Sequence, residues 1–159
     1  MLSVVGAEQS ATENGRPSPS AGEIAVWRSF LRAHAHLIRT LEAELAQAAD
    51  LPIASYDVLV QLAEAPDHRL RMTELADRVL LSRSGLTRLI DRLERDALVR
   101  RERVPDDARG MYAVLTRAGV DRLRSASHVH LPGIGAHFVQ RFNRRELDRL
   151  GQLLGRLAD

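Results

Sequence analysis

Residues 73–95 have the sequence TELADRVLLSRSGLTRLIDRLER, in which two helical patterns are separated by a short turn. In the second pattern the apolar residues recur at the spacing of one buried helix face, namely Leu86, Leu89, Ile90 and Leu93. Ser82 stands just before this pattern, where a serine side chain can accept a hydrogen bond from a backbone amide of the first turn. Thr73 is predicted to cap the first pattern in the same way. The stretch therefore predicts a helix-turn-helix whose second helix starts after Ser82.

The chain before this stretch predicts one long and one short helix. Residues 1–21 mix Gly, Ser, Pro and Thr without an apolar period, which indicates a disordered arm. Over residues 23–49 apolar side chains recur at helical spacing with no internal Pro or Gly, and the pattern restarts over residues 55–64. A long amphipathic helix is therefore expected to lead into a shorter one.

After this stretch the spacing of the apolar residues is no longer helical. Short runs containing Val, Tyr and Leu at residues 98–104 and 110–115 are joined by PDDAR, residues 105–109. Two such runs around a polar connection are typical of a β-hairpin, here with a charged and exposed tip. We therefore expect a hairpin directly after the second helix of the helix-turn-helix.

Two more helices are predicted at the C-terminal end. Thr116 is placed to cap a helix that reaches about residue 130, and Pro132 is predicted to kink or break it. Asn143, with Glu146 three positions later, has the spacing of a capping box for a last amphipathic helix.

Together these elements predict a mainly α fold with a small β-hairpin wing, the winged helix-turn-helix, formed by residues 51–115. The helical residues 22–50 and 116–159 carry apolar faces that this lobe is too small to cover. We therefore expect them to form a dimerisation region, so that the protein is a dimer through its N- and C-terminal helices.

Composition narrows the classes of function. Residues 82–103 carry seven arginines against four acids, whereas residues 1–50 carry four against six, so the middle of the chain is the predicted polyanion-binding region. All 23 basic residues are arginine, which suits phosphate and guanine but also follows from GC-rich codon usage. Without cysteine, a bilayer-spanning apolar run or a secretory signal, a cytoplasmic protein outside the membrane is expected.

The candidate interface lies at the start of the capped helix, where the polar positions are Ser82, Arg83, Ser84, Thr87 and Arg88. Hydroxyl groups can bind phosphates or bases, arginine can bind guanine bidentately, and the free amides at a helix start favour anions. The sequence therefore predicts that this helix enters the major groove of double-stranded DNA while the hairpin lies along the backbone as a wing.

Residues 73–119 resemble the MarR family of transcriptional regulators in their motifs, and residues 23–158 resemble it in the order of elements. The more specific half is the wing, where Asp107-Ala108-Arg109 is followed by LTRAG at residues 115–119. The resemblance implies that Arg109 enters the minor groove, whose negative potential attracts arginine, and that Asp107 orients it. Residue chemistry alone also allows an ordinary solvated ion pair at the hairpin tip.

Two positions depart from the family pattern. Ala97 stands where the family usually has a glycine ending the recognition helix, so another geometry or a strained residue is expected there. Ala108 stands where a second wing arginine is common. These departures keep open an alternative function, a winged-helix protein-interaction module that has lost DNA binding.

Ligand sites other than DNA are weakly marked in the sequence. The histidine pairs lie two positions apart on predicted helices, whereas helical metal ligands lie three or four apart, so neither a metal nor a cofactor is predicted. The resemblance implies a small-molecule effector between the dimer helices and the DNA-binding lobe, with Trp27, His34 and Asp57 as candidate contacts. Trp27 can equally be a core or interface anchor.

No pairing of nucleophile and base, phosphate-binding loop or metal cluster points to an enzyme. The capped basic helix and the wing predict DNA binding, and the resemblance to the MarR family implies that the protein is a sequence-specific transcriptional regulator. Its expected action is that of an effector-responsive repressor, bound as a homodimer to a pseudo-palindromic operator.

Overall fold

The structure is a computed structural model that describes residues 18–79, 81–105 and 107–158. The chain divides within its first helix into two compact units, residues 1–36 and 37–159. Most of the predicted disordered arm therefore lies outside the described residues. The helices are α1 (Ala21–Ala49), α2 (Ile53–Glu64), α3 (Met72–Arg78), α4 (Arg83–Arg95), α5 (Arg117–His137) and α6 (Arg144–Ala158), and the strands are β1 (Arg69–Arg71), β2 (Val99–Val104) and β3 (Asp107–Leu115).

Side-chain caps start several helices where the sequence predicted them. The Ser82 side chain accepts a hydrogen bond from the Gly85 amide over 3.1 Å, so it caps α4. At α6 the Asn143 amide donates to the Glu146 carboxylate (2.8 Å) and the Glu146 amide donates to the Asn143 side chain (3.0 Å). The predicted capping box is therefore confirmed.

The predicted cap of α3 is wrong. Its capping position is Arg71, which makes no side-chain cap, and Thr73 lies inside the helix. The reason is that strand β1, which the sequence did not reveal, ends at Arg71 and passes directly into α3.

A break of the helix at Pro132, one of the two predicted outcomes, does not occur, because α5 continues as one helix to His137. Contacts with α1 hold the helix on the C-terminal side of the proline. A β-carbon on Gly133 would lie 2.6 Å from Glu44 Oε2, and His137 Nε2 lies 2.6 Å from Glu44 Oε1. This packing offsets the backbone hydrogen bond that a proline cannot donate.

The strands form one antiparallel sheet in the order β1-β3-β2. The predicted hairpin of β2 and β3 is confirmed, with a register shift between Arg103 and Val104 near its tip. β1 pairs with the other side of β3, so that Leu70 lies opposite Ala113. The wing is therefore tied by hydrogen bonds to the residues that precede α3.

The core of the second unit is built from leucine, valine and isoleucine side chains. The stripe predicted for α4 is fully or almost fully buried, with Ile90 0% and Leu89 4% exposed. Other fully buried members are Leu45, Val58, Leu59, Leu62, Leu75 and Val99. Burial of this stripe leaves the opposite side of α4 in solvent.

The end of α4 is fixed to the start of α5. Ala97 has φ of 57°, so the expected strain is confirmed, and the Thr116 hydroxyl donates to the Ala97 carbonyl (2.7 Å) while accepting from the Gly119 amide (3.0 Å). A β-carbon on Gly119 would overlap the Leu98 carbonyl oxygen. The glycine of the LTRAG motif is therefore required by close approach of two backbones.

Candidate nucleic-acid interface

The first turn of α4 presents hydroxyl groups to solvent. Ser82 and Ser84 are exposed, and their hydroxyl oxygens lie 3.3 Å apart. Because the amides of a first helical turn have no partner within the helix, this end of α4 is suited to binding an anion. A β-carbon on Gly85 would lie 3.1 Å from Ser82 Oγ, so a larger residue there would crowd the cap.

The other predicted positions of α4 lie on the same exposed side. Arg83, Thr87 and Arg88 are exposed, and the Thr87 hydroxyl donates to the Arg83 carbonyl over 2.9 Å. Neither Arg83 nor Arg88 makes an ion pair with another described residue. The structure therefore brings the five predicted positions of this helix together, and two of them are arginines that no described acidic residue neutralises.

The start of β3, beside the turn of the wing, contains an ion pair that sequence reasoning missed. Arg71 Nη1 donates to Asp107 Oδ2 over 2.9 Å, so the first residue of β3 is held by the last residue of β1. Nothing is described of the Arg109 side chain, and the predicted contact of Asp107 with Arg109 stays a prediction. The alternation Arg69-Leu70-Arg71 was the available signal, although three residues are too few to identify a strand.

Glycine is required beside Asp107. A β-carbon on Gly110 would lie 2.6 Å from Asp107 Oδ2 and 2.8 Å from Val104 Cγ2. A side chain at position 110 would therefore have to displace the Asp107 carboxylate or the Val104 side chain.

Two arginines stack near the same aromatic ring of the sheet. The guanidinium carbons of Arg69 and Arg71 lie 5.1 Å and 5.9 Å from the centre of the Tyr112 ring. Contacts of this kind are favourable, and they hold both cations at the surface of the sheet.

A third arginine joins the wing to α4. Arg101 of β2 lies 2.6 Å from carboxylate oxygens of both Asp91 and Glu94. Burial of the Arg101 guanidinium acts against its charge, but the hydrogen bonds and charges of Asp91 and Glu94 outweigh it and raise the pKa of Arg101. Beside this contact a cavity of about 510 Å³ separates α4 from the wing, lined in part by Thr87 and Met111.

Comparison with known proteins gives the family. The profile of the MarR family matches residues 49–110. Over 104 residues the chain is 34% identical to the HTH-type transcriptional repressor YetL of Bacillus subtilis (strain 168), a match that covers 65% of this chain and 62% of YetL. It is 36% identical to Sco3205, a MarR family transcriptional regulator from Streptomyces coelicolor crystallised in complex with DNA, with a TM-score of 0.86 over 92% of this chain and 91% of Sco3205. The chain belongs to the MarR family.

A second member of the MarR family is almost as similar. AbsC of Streptomyces coelicolor is 32% identical, with a TM-score of 0.83 over 90% of this chain and 96% of AbsC. The resemblance seen in the sequence and the predicted winged helix-turn-helix are therefore confirmed. The relatives named here are transcriptional regulators rather than enzymes.

The residues predicted to contact an effector lie in different units of this MarR family member. Trp27 is 55% exposed, and its ring stacks on Phe30, with the ring centres 5.9 Å apart. Phe30 lies 6.3 Å from the ring of His34. Asp57, in the second unit, lines a cavity of about 190 Å³ together with Arg78. Effector contact by Trp27, His34 and Asp57 stays a prediction.

A buried histidine lies near Asp57. The His130 ring is 7% exposed and lies 4.5 Å from the centre of the Tyr56 ring. Burial lowers the pKa of His130, against the opposing charges of Asp57 and Glu44. Burial raises the pKa of Asp57, which the charge of His130 counteracts. These two groups therefore stabilise each other when both are charged.

The part of the chain that the structure describes holds no cluster of three His, Cys, Asp or Glu side chains placed to bind a metal ion. None of the described helices combines the length and the apolar character needed to cross a bilayer.

Proposed function

We propose that this chain is a DNA-binding transcriptional repressor, acting in the cytoplasm as a homodimer on a pseudo-palindromic operator. The observation that carries the proposal is the capped, solvent-exposed start of α4 beside an antiparallel wing, with Arg83 and Arg88 making no ion pair to another described residue. The DNA complex of Sco3205 and the description of YetL as a repressor support it. The helix enters the major groove and the wing lies over the adjacent minor groove.

Each predicted residue has a role in this proposal. Ser82 and Ser84 bind a phosphate together with the free amides of the α4 start. Thr87 and Arg88 face base edges, with Arg88 suited to guanine. Further contacts come from Arg83, Asp107 and Arg109, of which Arg83 binds the backbone and Asp107 orients Arg109 in the minor groove.

The dimer rests on apolar side chains left in solvent. On α6, Leu153, Leu154 and Leu157 are 40%, 37% and 75% exposed, and on the first unit Trp27 and Phe30 are 55% and 41% exposed. Apolar side chains repeated at helical spacing and left uncovered mark an association surface. We propose that residues 22–50 and 116–159 pair two copies, and that residues 51–115 of each copy bind one half-site.

Regulation by a small effector is the remaining part of the proposal. Effector binding that changes the distance between the two α4 helices would release the operator, because the half-sites have a fixed spacing. Trp27, His34 and Asp57 are the candidate contacts.

Selection of bound duplexes from a random-sequence DNA pool tests the function. The expected result is an enriched sequence with two-fold symmetry, its half-sites centred about 10 base pairs apart. The variant with both Arg83→Ala and Arg88→Ala should enrich no sequence, while Arg124→Ala, outside the lobe, should enrich the same one. If the wild-type protein enriches nothing and retards no duplex at low salt, the interaction-module alternative is favoured.

A further inference from the structure

Arg101 connects two parts of the lobe that are expected to meet different grooves of DNA. Its Nη1 donates to Glu94 Oε2 (2.6 Å), its Nη2 donates to Asp91 Oδ1 (2.6 Å), and its backbone amide donates to Glu94 Oε1 (3.0 Å). Because Asp91 and Glu94 are three positions apart on α4, they share one face, and a single guanidinium fork reaches both. We call these three residues the Arg101 bridge.

The Arg101 bridge differs from the other ion pairs of the described residues. The Arg101 side chain is 22% exposed, whereas the arginines of the pairs at Arg71 and Arg78 are 46% and 41% exposed. Exposed pairs contribute little because water screens them and the side chains lose freedom. A half-buried arginine that pairs with two carboxylates is held in place more firmly than an exposed arginine that pairs with one.

Direct phosphate binding does not explain Arg101. Both terminal nitrogens already donate to carboxylates, and Nη2 also lies 3.4 Å from the Thr87 carbonyl oxygen. The three charges of the bridge sum to −1, so the cluster as a whole does not attract a phosphate. Any effect of Arg101 on DNA must therefore act through the position of other residues.

Packing fixes the base of the hairpin, where Val99 and Ala113 join the same buried core as Leu89, but a cavity lies between α4 and the part of the wing nearer its turn. The cavity of about 510 Å³ beside Arg101 is lined from α4 by Thr87 and Asp91 and from the wing by Gly110 and Met111. Without Arg101, the wing and α4 would face each other across this space.

We propose that Arg101 is a positioning residue that fixes the angle between the wing and α4, so that both meet DNA in one step. The inference rests on the proposed function, in which α4 and the wing contact the same duplex. A wing that is loose in the free protein must lose that freedom on binding, which lowers affinity without removing any phosphate contact.

The first test is Arg101→Gln with the duplex obtained by selection. Affinity should fall about tenfold, while the slope of log affinity against log salt should change by less than about 0.5, because no phosphate contact is lost. A slope that falls by roughly 1 would instead make Arg101 a phosphate contact and overturn the proposal. Arg101→Lys, which keeps the charge but not the fork, should recover only part of the affinity.

The second test neutralises the two carboxylates of the Arg101 bridge. Combining Asp91→Asn with Glu94→Gln makes the protein more positive by two charges, so simple electrostatics predicts tighter binding. The Arg101 bridge predicts weaker binding, by a factor of at least about three. Tighter binding would overturn the proposal.

Arg124→Gln is the matched control. Arg124 pairs with Asp121 over 3.3 Å on α5 and is 65% exposed, so this variant loses one arginine and one ion pair outside the lobe. Its affinity should equal that of the wild type. Urea unfolding of each variant confirms that the comparison is made between folded proteins.

Amide hydrogen exchange without DNA separates this proposal from the proposed function. In Arg101→Gln the amides of β2 and β3 should exchange faster than in Arg124→Gln, while those of α2 stay unchanged. If the wild type selects no DNA sequence, the proposed function fails but this comparison still tests the bridge. Wing amides that exchange at the wild-type rate would overturn the proposal in either case.

Discussion

Arg71 Nη1 donates to Asp107 Oδ2 over 2.9 Å, although 36 positions separate the two residues in the chain. Arg71 ends β1 and stands at the start of α3, whereas Asp107 begins β3. One ion pair therefore joins the entrance of the helix-turn-helix to the end of β3 that lies beside the wing turn. The two side chains are 46% and 42% exposed, so the pair adds little to folding and its effect is expected on DNA binding.

The first prediction concerns that pair. Arg71→Gln should change the free energy of unfolding by less than about 0.5 kcal/mol, yet weaken DNA binding by a factor of about three to ten, because Asp107 loses its ion pair with Arg71. Urea unfolding and fluorescence anisotropy measure the two quantities. The control is Arg69→Gln, which removes an equal charge from the same strand but leaves Asp107 paired. Equal losses of affinity in both variants would mean that charge alone matters.

The second prediction concerns the wing tip. Arg109→Ala should weaken binding and lower the slope of log affinity against log salt by roughly 1, because one cation no longer displaces a counterion. Titrations at several salt concentrations give the slope. Arg117 lies on α5 and is 83% exposed, and Arg117→Ala should leave the slope unchanged. An unaltered slope in the Arg109 variant would contradict the assignment of this residue to DNA.

The third prediction concerns the end of α4. Ala97→Gly should raise the free energy of unfolding by about 1 kcal/mol, since φ of 57° strains a residue with a β-carbon more than it strains glycine. Ala46→Gly, at an exposed position inside α1, should lower it by a similar amount because glycine disfavours helix. Thermal unfolding of both variants provides the comparison. If Ala97→Gly and Ala46→Gly both lower the free energy of unfolding, the backbone at Ala97 is not strained.

The fourth prediction is a pH dependence of stability. Burial lowers the pKa of His130 below its ordinary value of 6.5, so just below that pH the unfolded chain binds a proton that the folded chain does not. The free energy of unfolding should therefore decline as the pH falls through this window, with a slope of at most about 1.4 kcal/mol per pH unit. His130→Gln should flatten the decline in urea unfolding measured between about pH 5.5 and pH 7.5.

Asp57 and His128 help to assign this pH dependence to His130. The pKa of Asp57 is raised above its ordinary value of 3.8. Its contribution to the free energy of unfolding therefore increases as the pH falls, opposite in sign to that of His130, and it acts over a lower range of pH. His128→Gln changes an exposed histidine on the same helix and should leave the decline as it is in the wild type. A decline that persists in full in His130→Gln would assign it to other groups.

Local signals in the sequence were sufficient for most of the helices. The buried stripe of α4 and the cap at Ser82 follow from spacing and from the chemistry of one side chain, and both were predicted correctly. The same holds for the capping box of Asn143 and Glu146. These features depend on residues within a few positions of each other, which is the range that a sequence pattern reports.

Features that depend on distant contacts were missed. β1 has three residues and is a strand only because β3 lies beside it, so no local pattern marks it. With β1 unknown, the cap of α3 was misplaced at Thr73 and the partner of Asp107 was not foreseen. A break of α5 at Pro132 was one expected outcome because proline is unfavourable in an isolated helix, whereas contacts with Glu44 keep the helix continuous in the folded chain.

The order of the strands also bears on how the sheet avoids pairing with a strand of another molecule. In the order β1-β3-β2 the free edges belong to β1, which has only three residues, and to β2, which has four successive charged residues at 100–103. Short edges and charged edges both discourage hydrogen bonding to a strand of another molecule. A wing can therefore project into solvent to reach DNA without recruiting further copies of the protein into an aggregated sheet.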